Sequence, residues 1–395
     1  ANWSFITDGV LPLGISFYTF QKVAYLVDSY HGKTRGYGFR DFCLFVSFFP
    51  QLIAGPIVHH SEIMPQFRKQ DTARTHWDDW SVGLTLFIFG LSKKVLLADR
   101  LAEFASPVFR VANSGADFGM AEAWLGVLAY TLQLYFDFSG YSDMAIGLAR
   151  LFGIRLPMNF NSPYQAANIA DFWRRWHMTL SRFLRDYVYI PLGGNRHGNT
   201  RKYTNLFLTM LIGGIWHGAG WTFVIWGALH GLYLLIYHAW KDRRAQHQAP
   251  AIASSSSLLN VFCARAGTFL LVALAWIFFR AESFDAATNL LVSMTGVHGL
   301  TSNLSRINAS TGWVFVCVLL PVVWFLPNSN QLLARFQPTL EYMRGGKENP
   351  MLAREGWVTR FLWKPRLAWA LTIAALAVAS VLGLSRVSEF IYWQF

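Results

Sequence analysis

From Tyr203 to Trp240 the chain carries no Lys, Arg, Asp or Glu, yet it holds three histidines, His217, His230 and His238. At about 1.5 Å per residue, one helix of that length overshoots a bilayer core of about 30 Å. The glycines of Gly213-Gly214-Ile215-Trp216-His217-Gly218-Ala219-Gly220 therefore mark the meeting point of two segments. His217 then falls well inside apolar surroundings, where an ionisable side chain is costly. Such a residue is kept for function or as hydrogen-bonded glue between helices. Both readings stand on the residues alone.

Composition sets the solvent. Of 395 residues, 53% are hydrophobic and 14% charged, with 17 Trp and 33 Phe; soluble domains carry about 25% charged residues. The expected fold class is an all-α polytopic membrane protein of roughly eight to ten segments, with 1–395 as one membrane-embedded domain. The net charge of +12 sits in short clusters between apolar stretches. That pattern fits cytoplasmic loops near anionic lipid, not a nucleic-acid surface. Cys43, Cys263 and Cys317 show neither metal-ligand spacing nor an even disulfide set. No metal site and no bound cofactor are expected. The chain opens at Ala1 without a signal-peptide pattern, so further spans are expected upstream.

Val10 to Val27 reads as a first span, and Phe42 to Val58 as a bent or re-entrant element broken at Pro50 and Gly55-Pro56. In Val82 to Ala98, Lys93 and Lys94 are expected to snorkel to an interface. In the long apolar run Ala121 to Gly153, Asp137 and Asp143 are expected on one helical face. There they either line a site or form a buried pair that fixes helices. Spans follow at Leu258 to Phe279, Trp313 to Leu326 and Leu367 to Leu384. Charge alternation orients them. The Ser-rich linker 241–257 and the basic loop 327–365 read as cytoplasmic, Ala281 to Thr311 as external, and the tail 385–395 as periplasmic.

Asp171 to Asp186 reads as one two-faced helix. Trp173, Trp176, His177, Leu180 and Leu184 share the apolar side, and Arg174, Arg175, Arg182 and Arg185 the other. A basic helix lying at the interface explains the arginines but not His177, which faces the core. Such a helix offers cations to phosphate on one side and an imidazole to a buried site on the other.

Phe172-Trp173-Arg174-Arg175-Trp176-His177, Ile190-Pro191-Leu192-Gly193-Gly194-Asn195 and Gly213 to Gly218 resemble the membrane-bound O-acyltransferase family. Tyr135 to Ile146, Phe49 to Pro56 and the ending Phe390-Ile391-Tyr392-Trp393-Gln394-Phe395 resemble its bacterial branch that acetylates exported polysaccharides such as alginate or cellulose. The resemblance implies a ring of tilted and re-entrant helices around a central tunnel. It implies acetyl transfer from a cytoplasmic donor, acetyl-CoA, across the inner membrane. A periplasmic SGNH-hydrolase-like acetyltransferase and an export complex are the implied partners.

By the same resemblance the family histidine falls on His217 and a second polar position on His177. Acyl transfer needs a base for the attacking hydroxyl and donors for the tetrahedral oxyanion. His217 is assigned as base and His177 as orienting or oxyanion group, with the roles exchangeable. Tyr392 is either an acyl carrier, as the related D-alanine export system implies, or part of an aromatic anchor. Arg174, Arg175, Arg185, Trp173, Trp216 and Asp137 are candidates for holding donor or substrate, and His230 lines the tunnel or packs. The rival classes are a proton-coupled transporter, which would show two corresponding broken halves, and a structural scaffold, which would need no polar groups at mid-depth.

Overall fold

A computed structural model describes residues 14–52, 55–69, 76–247, 257–301, 308–344 and 362–386. The described residues are helical and contain no strand. In chain order the first helices are α1 (Ile15–Tyr30), α2 (Phe39–Ser47) and α3 (His60–Phe67). Pro50 lies in a single 3-10 turn, Phe49–Gln51, and residues 55–59 run extended. Phe42 to Val58 is thus bent, as the prolines require.

Next come α4 (Trp77–Ser92), a π-helical turn (Lys93–Ala98) and α5 (Asp99–Asn113), which join into one rod, Trp77–Asn113. The central helix is α6 (Met120–Leu151), with every residue from Ala129 to Gly140 buried. A helix apolar all round has no solvent face and belongs in the middle. At about 1.5 Å per residue α6 is longer than a bilayer core. Around it pack α4, α5, α11 (Leu258–Arg280), α12 (Phe284–Met294) and α13 (Ala309–Phe325).

Glycine decides how near these helices come. A Cβ at Gly83 would meet the Gly147 carbonyl oxygen at 2.8 Å, and one at Gly90 would overlap the Gly140 carbonyl oxygen. Without hydrophobic drive between helices in lipid, such close backbone approach supplies the packing. Lys93 and Lys94 face this seam. Lys93 Nζ lies 2.6 Å from Asp143, and Lys94 Nζ lies 2.7 Å from both Asp137 and Asp99. The expectation that these lysines snorkel is therefore wrong: carboxylates on α6 hold them inside. Asp137 and Asp143 also do not share a face. They stand six residues apart, about 240° around a helix, and each takes a different lysine.

The later helices are α7 (Ile169–Trp173), α8 (Met178–Leu184), α9 (Gly198–His217) and α10 (Trp221–His247), then α14 (Ser329–Leu332), α15 (Leu340–Arg344) and α16 (Leu367–Gly383). The uncharged run divides as expected, α9 ending at His217 and α10 starting at Trp221. Because α10 continues to His247, the first part of the 241–257 linker is helix; 248–256 lie outside the described residues. In the 327–365 stretch, Asn328, Ser329, Asn330 and Gln331 are buried, so its start docks into the core rather than lying loose. Asn328 Nδ2 donates to Asn161 Oδ1 at 3.1 Å. Leu371, Val378 and Leu382 of α16 are exposed, an apolar face fit for lipid.

Candidate active site

The site begins where α9 and α10 meet. A Cβ at Gly214 would stand 2.5 Å from the Phe223 carbonyl oxygen, and one at Gly227 2.7 Å from that of Met210. These glycines let the two helices close up, and His217, the last residue of α9, swings against α10. Its ring meets Trp226 edge-on at 5.1 Å and Phe279 at 5.0 Å, and it is 3% exposed. Trp216 is half-buried and its ring lies tilted against His217 at 4.6 Å and Phe20 at 4.6 Å.

His230, one helix segment further on, is fully buried and also touches Trp226, at 4.9 Å. Trp173 Nε1 donates to its Nδ1 at 3.3 Å, so the neutral ring carries its proton on Nε2. Phe172, Trp173, Trp226 and Trp276 surround the ring. His217 and His230 both meet Trp226, and His177 joins them through Phe160, Trp176 and Trp276, whose ring stacks on Trp226. The three imidazoles therefore share one low-dielectric region.

His177 reaches it by a different route from the one the sequence indicates. The expected helix Asp171 to Asp186 is broken. α7 ends at Trp173, His177 adopts a left-handed backbone (φ 42°), and α8 starts at Met178. The extended segment 154–161 runs alongside and fixes the break. Asn161 N donates to Arg175 O and Met178 N to Asn159 O, each at 2.9 Å. Tertiary hydrogen bonds override the helical pattern here. They also turn the side chains: Asn159 Oδ1 accepts from Thr179 Oγ1 at 2.9 Å and Thr179 N at 3.4 Å, and lies 3.1 Å from His177 Nδ1. The Thr179 N–H can only donate, so the amide oxygen faces the ring. Nδ1 then bears the proton and Nε2 is the nitrogen able to take one. Asn159 is a residue the sequence reading missed; nothing in its local pattern distinguishes it from a loop asparagine.

A cavity of about 610 Å³ lies beyond Trp173. Arg174, Arg182, Arg185 and Lys202 line it, together with Tyr189, Asn195 and His238. Met178 and Thr179, the neighbours of His177, also line it. Arg182 is held by a two-point contact with Glu62, 2.8 Å at each end, and Arg185 pairs with Asp186 at 2.7 Å. The Arg174 guanidinium makes no hydrogen bond or ion pair among the described residues, although its backbone N–H donates to Ala170 O at 3.3 Å. Glu341 also lines the cavity. Burial pushes its carboxyl above the ordinary range, against the Met158 N–H that donates to it at 2.7 Å. Arg175 does not join this wall: it pairs with Asp171 at 3.0 Å and donates to Asn161 O at 3.4 Å. Asp137 likewise serves the α4–α6 seam through Lys94. Neither Arg175 nor Asp137 borders this cavity. Tyr392 lies outside the described residues.

The cavity thus combines four cations with an aromatic floor, and behind the floor stand imidazoles. That set suits a polyanionic donor whose reactive end reaches the histidines. The chain matches the model of MBOAT, the membrane-bound O-acyltransferase family, over residues 4–252. It is 41% identical to a probable alginate O-acetylase of Azotobacter vinelandii, over 99% of this chain and 77% of the relative. It is 47% identical to a peptidoglycan O-acetyltransferase of Helicobacter pylori, over 74% of this chain and 58% of that relative's length. A teichoic acid D-alanyltransferase of Streptococcus thermophilus is 29% identical over 59% of this chain and 58% of its own.

Proposed function

The chain belongs to the membrane-bound O-acyltransferase family, and from that premise we propose that it moves acetyl from cytoplasmic acetyl-CoA to an exported polysaccharide. The observation that carries this reading is the cationic cavity ending on Trp173, whose indole is bonded to His230 beside His217. Phosphates of the donor rest against Arg174, Arg185 and Lys202, and the thioester points toward the imidazoles. His217 acts as base on the attacking hydroxyl. His177, held by Asn159, orients that hydroxyl or stabilises the oxyanion. The protein sits in the bacterial inner membrane with a periplasmic C-terminus. A periplasmic SGNH-hydrolase-like acetyltransferase and the export complex receive the acetyl group, with Tyr392 as its carrier.

The relatives' names favour alginate as acceptor, and the 47% identity to a peptidoglycan O-acetyltransferase gives peptidoglycan as the second reading. Ester-linked acetyl on each polymer, measured in cells with and without the intact chain, decides between them. Loss from neither polymer would sink the proposed function.

Two variants test the wall and the support. Arg174→Glu is expected to weaken acetyl-CoA binding about tenfold, with the effect shrinking as salt rises. Arg175→Gln, outside the cavity wall, is expected to leave binding nearly unchanged. Equal losses would show that the arginines act on insertion only. Asn159→Ala is expected to lower turnover by up to about a hundredfold through misplacement of His177, with little change in donor affinity. A change in affinity alone would remove Asn159 from the positioning role.

A further inference from the structure

Away from the imidazoles of the core, a second cluster joins three elements. Asp28, at the end of α1, has a buried side chain, and four groups crowd it. His59 Nε2 lies 2.8 Å, His60 Nε2 3.0 Å and Tyr187 Oη 2.9 Å from the same atom, Asp28 Oδ2. Tyr187 Oη is also 2.9 Å from His59 Nε2. Lys33 Nζ takes the other oxygen, Oδ1, at 2.8 Å. The ligand atoms of Asp28, His59 and His60 all lie within 4.8 Å of one another.

This crowding is uneven. A carboxylate has about four lone-pair directions over two oxygens, yet three groups meet at Oδ2 and one at Oδ1. Hydrogen bonding alone does not favour that division. A cation among the Oδ2, His59, His60 and Tyr187 atoms does, since it takes one lone pair from each. Tetrahedral zinc bonds nitrogen and oxygen at about 2.0–2.2 Å, which sets ligand atoms about 3.3 Å apart by the same geometry. The observed spacings of 2.8 to 3.0 Å lie within a few tenths of an ångström of that value. Imidazole with carboxylate oxygen suits a first-row divalent ion over magnesium or calcium. Of the outer contacts, Lys33 holds the distal carboxylate oxygen, and His59 Nδ1 lies 2.6 Å from Ser61 Oγ, with Ser61 N donating to it more distantly at 3.3 Å. Such partners fix ring and carboxylate orientation around a metal.

We propose that Asp28, His59 and His60, with Tyr187 as fourth donor, form a structural site for a divalent ion of the zinc class. The cysteines show no ligand spacing, and no metal was expected from the sequence. The four ligands come from three parts of the fold: α1, the start of α3, which supplies both histidines, and the π-helical turn Arg185–Tyr189. That turn supplies Arg185 and Tyr189 to the cavity, and α3 supplies Glu62, which holds Arg182. A metal here braces the cationic wall; this consequence rests on the proposed function, whereas the site itself does not.

The test uses the full chain purified in detergent without a histidine tag. After zinc addition and removal of free metal, elemental analysis is expected to find about one zinc per chain. Cobalt added to chelator-treated protein is expected to give the visible absorption of a tetrahedral ion. His60→Ala and Asp28→Asn are expected to reduce bound metal to below about a tenth of that, while Tyr187→Phe retains metal with weaker affinity. Should the variants fail to insert, the wild-type cobalt titration alone decides. Absence of both stoichiometric zinc and a cobalt spectrum, or full metal retention in His59→Ala with His60→Ala, overturns the site and leaves a hydrogen-bonded knot. Neither result bears on acetyl transfer.

Discussion

Replacing His217 with Ala is expected to lower acetyl transfer by about 10²–10⁴-fold, the usual contribution of a positioned base. A base standing free on a tunnel wall would cost little packing to remove. The structure instead packs His217 edge-on between Trp226 and Phe279, so the alanine also opens a void. A lower melting temperature is therefore expected beside the lost activity, and His217→Gln separates the two. Glutamine fills most of the space and keeps a hydrogen-bonding group but takes no proton at neutral pH. Transfer is expected to stay near the alanine level while stability returns. If His217→Gln restored transfer along with stability, the imidazole would be a packing element and not a base.

Lys94→Met is expected to destabilise the folded protein by about 3–5 kcal/mol, because it leaves the Asp137 carboxylate buried without its cation. Asp137 is 1% exposed, so water cannot replace the ammonium. The double change Lys94→Met with Asp137→Leu is expected to recover most of that loss, since apolar groups of similar volume often substitute for a buried pair. Denaturant unfolding in detergent reads both. A double variant as unstable as the sum of the single changes would show that the pair is not coupled. Transfer activity per folded molecule is expected to be unchanged in the double variant, which keeps Asp137 out of the donor site.

The helix pattern was readable where composition is extreme. The break at Gly218-Ala219-Gly220 follows from an uncharged run too long for the bilayer; α11 follows from an apolar stretch of spanning length, and α13 and α16 from shorter apolar stretches. α5 and α12 were not readable in this way. They are amphipathic and bury one face against α6, so no apolar run announces them. In the site, His217 and His177 stand out because an imidazole among apolar residues is rare. The left-handed turn at His177 does not, because it is set by Asn159 and Asn161 from another segment. The same limit applies to Lys93 and Lys94: adjacency to an apolar run indicates an interface, and only the position of α6 supplies the carboxylates. Helical periodicity described Asp171 to Asp186 correctly as two-faced in burial, yet backbone pairing across the chain broke its helix.

The most direct test of the account is isotopic. Membrane vesicles with the cytoplasmic face outward, carrying the full chain and the export machinery, receive acetyl-CoA labelled in its acetyl group. Ester-linked label on the enclosed polysaccharide is then read by mass spectrometry. The account requires label in the lumen with the wild-type chain, and a loss of about a hundredfold or more with His217→Gln at equal protein level. Equal labelling by the two chains, or labelling only when the donor is sealed inside with the polymer, would contradict it.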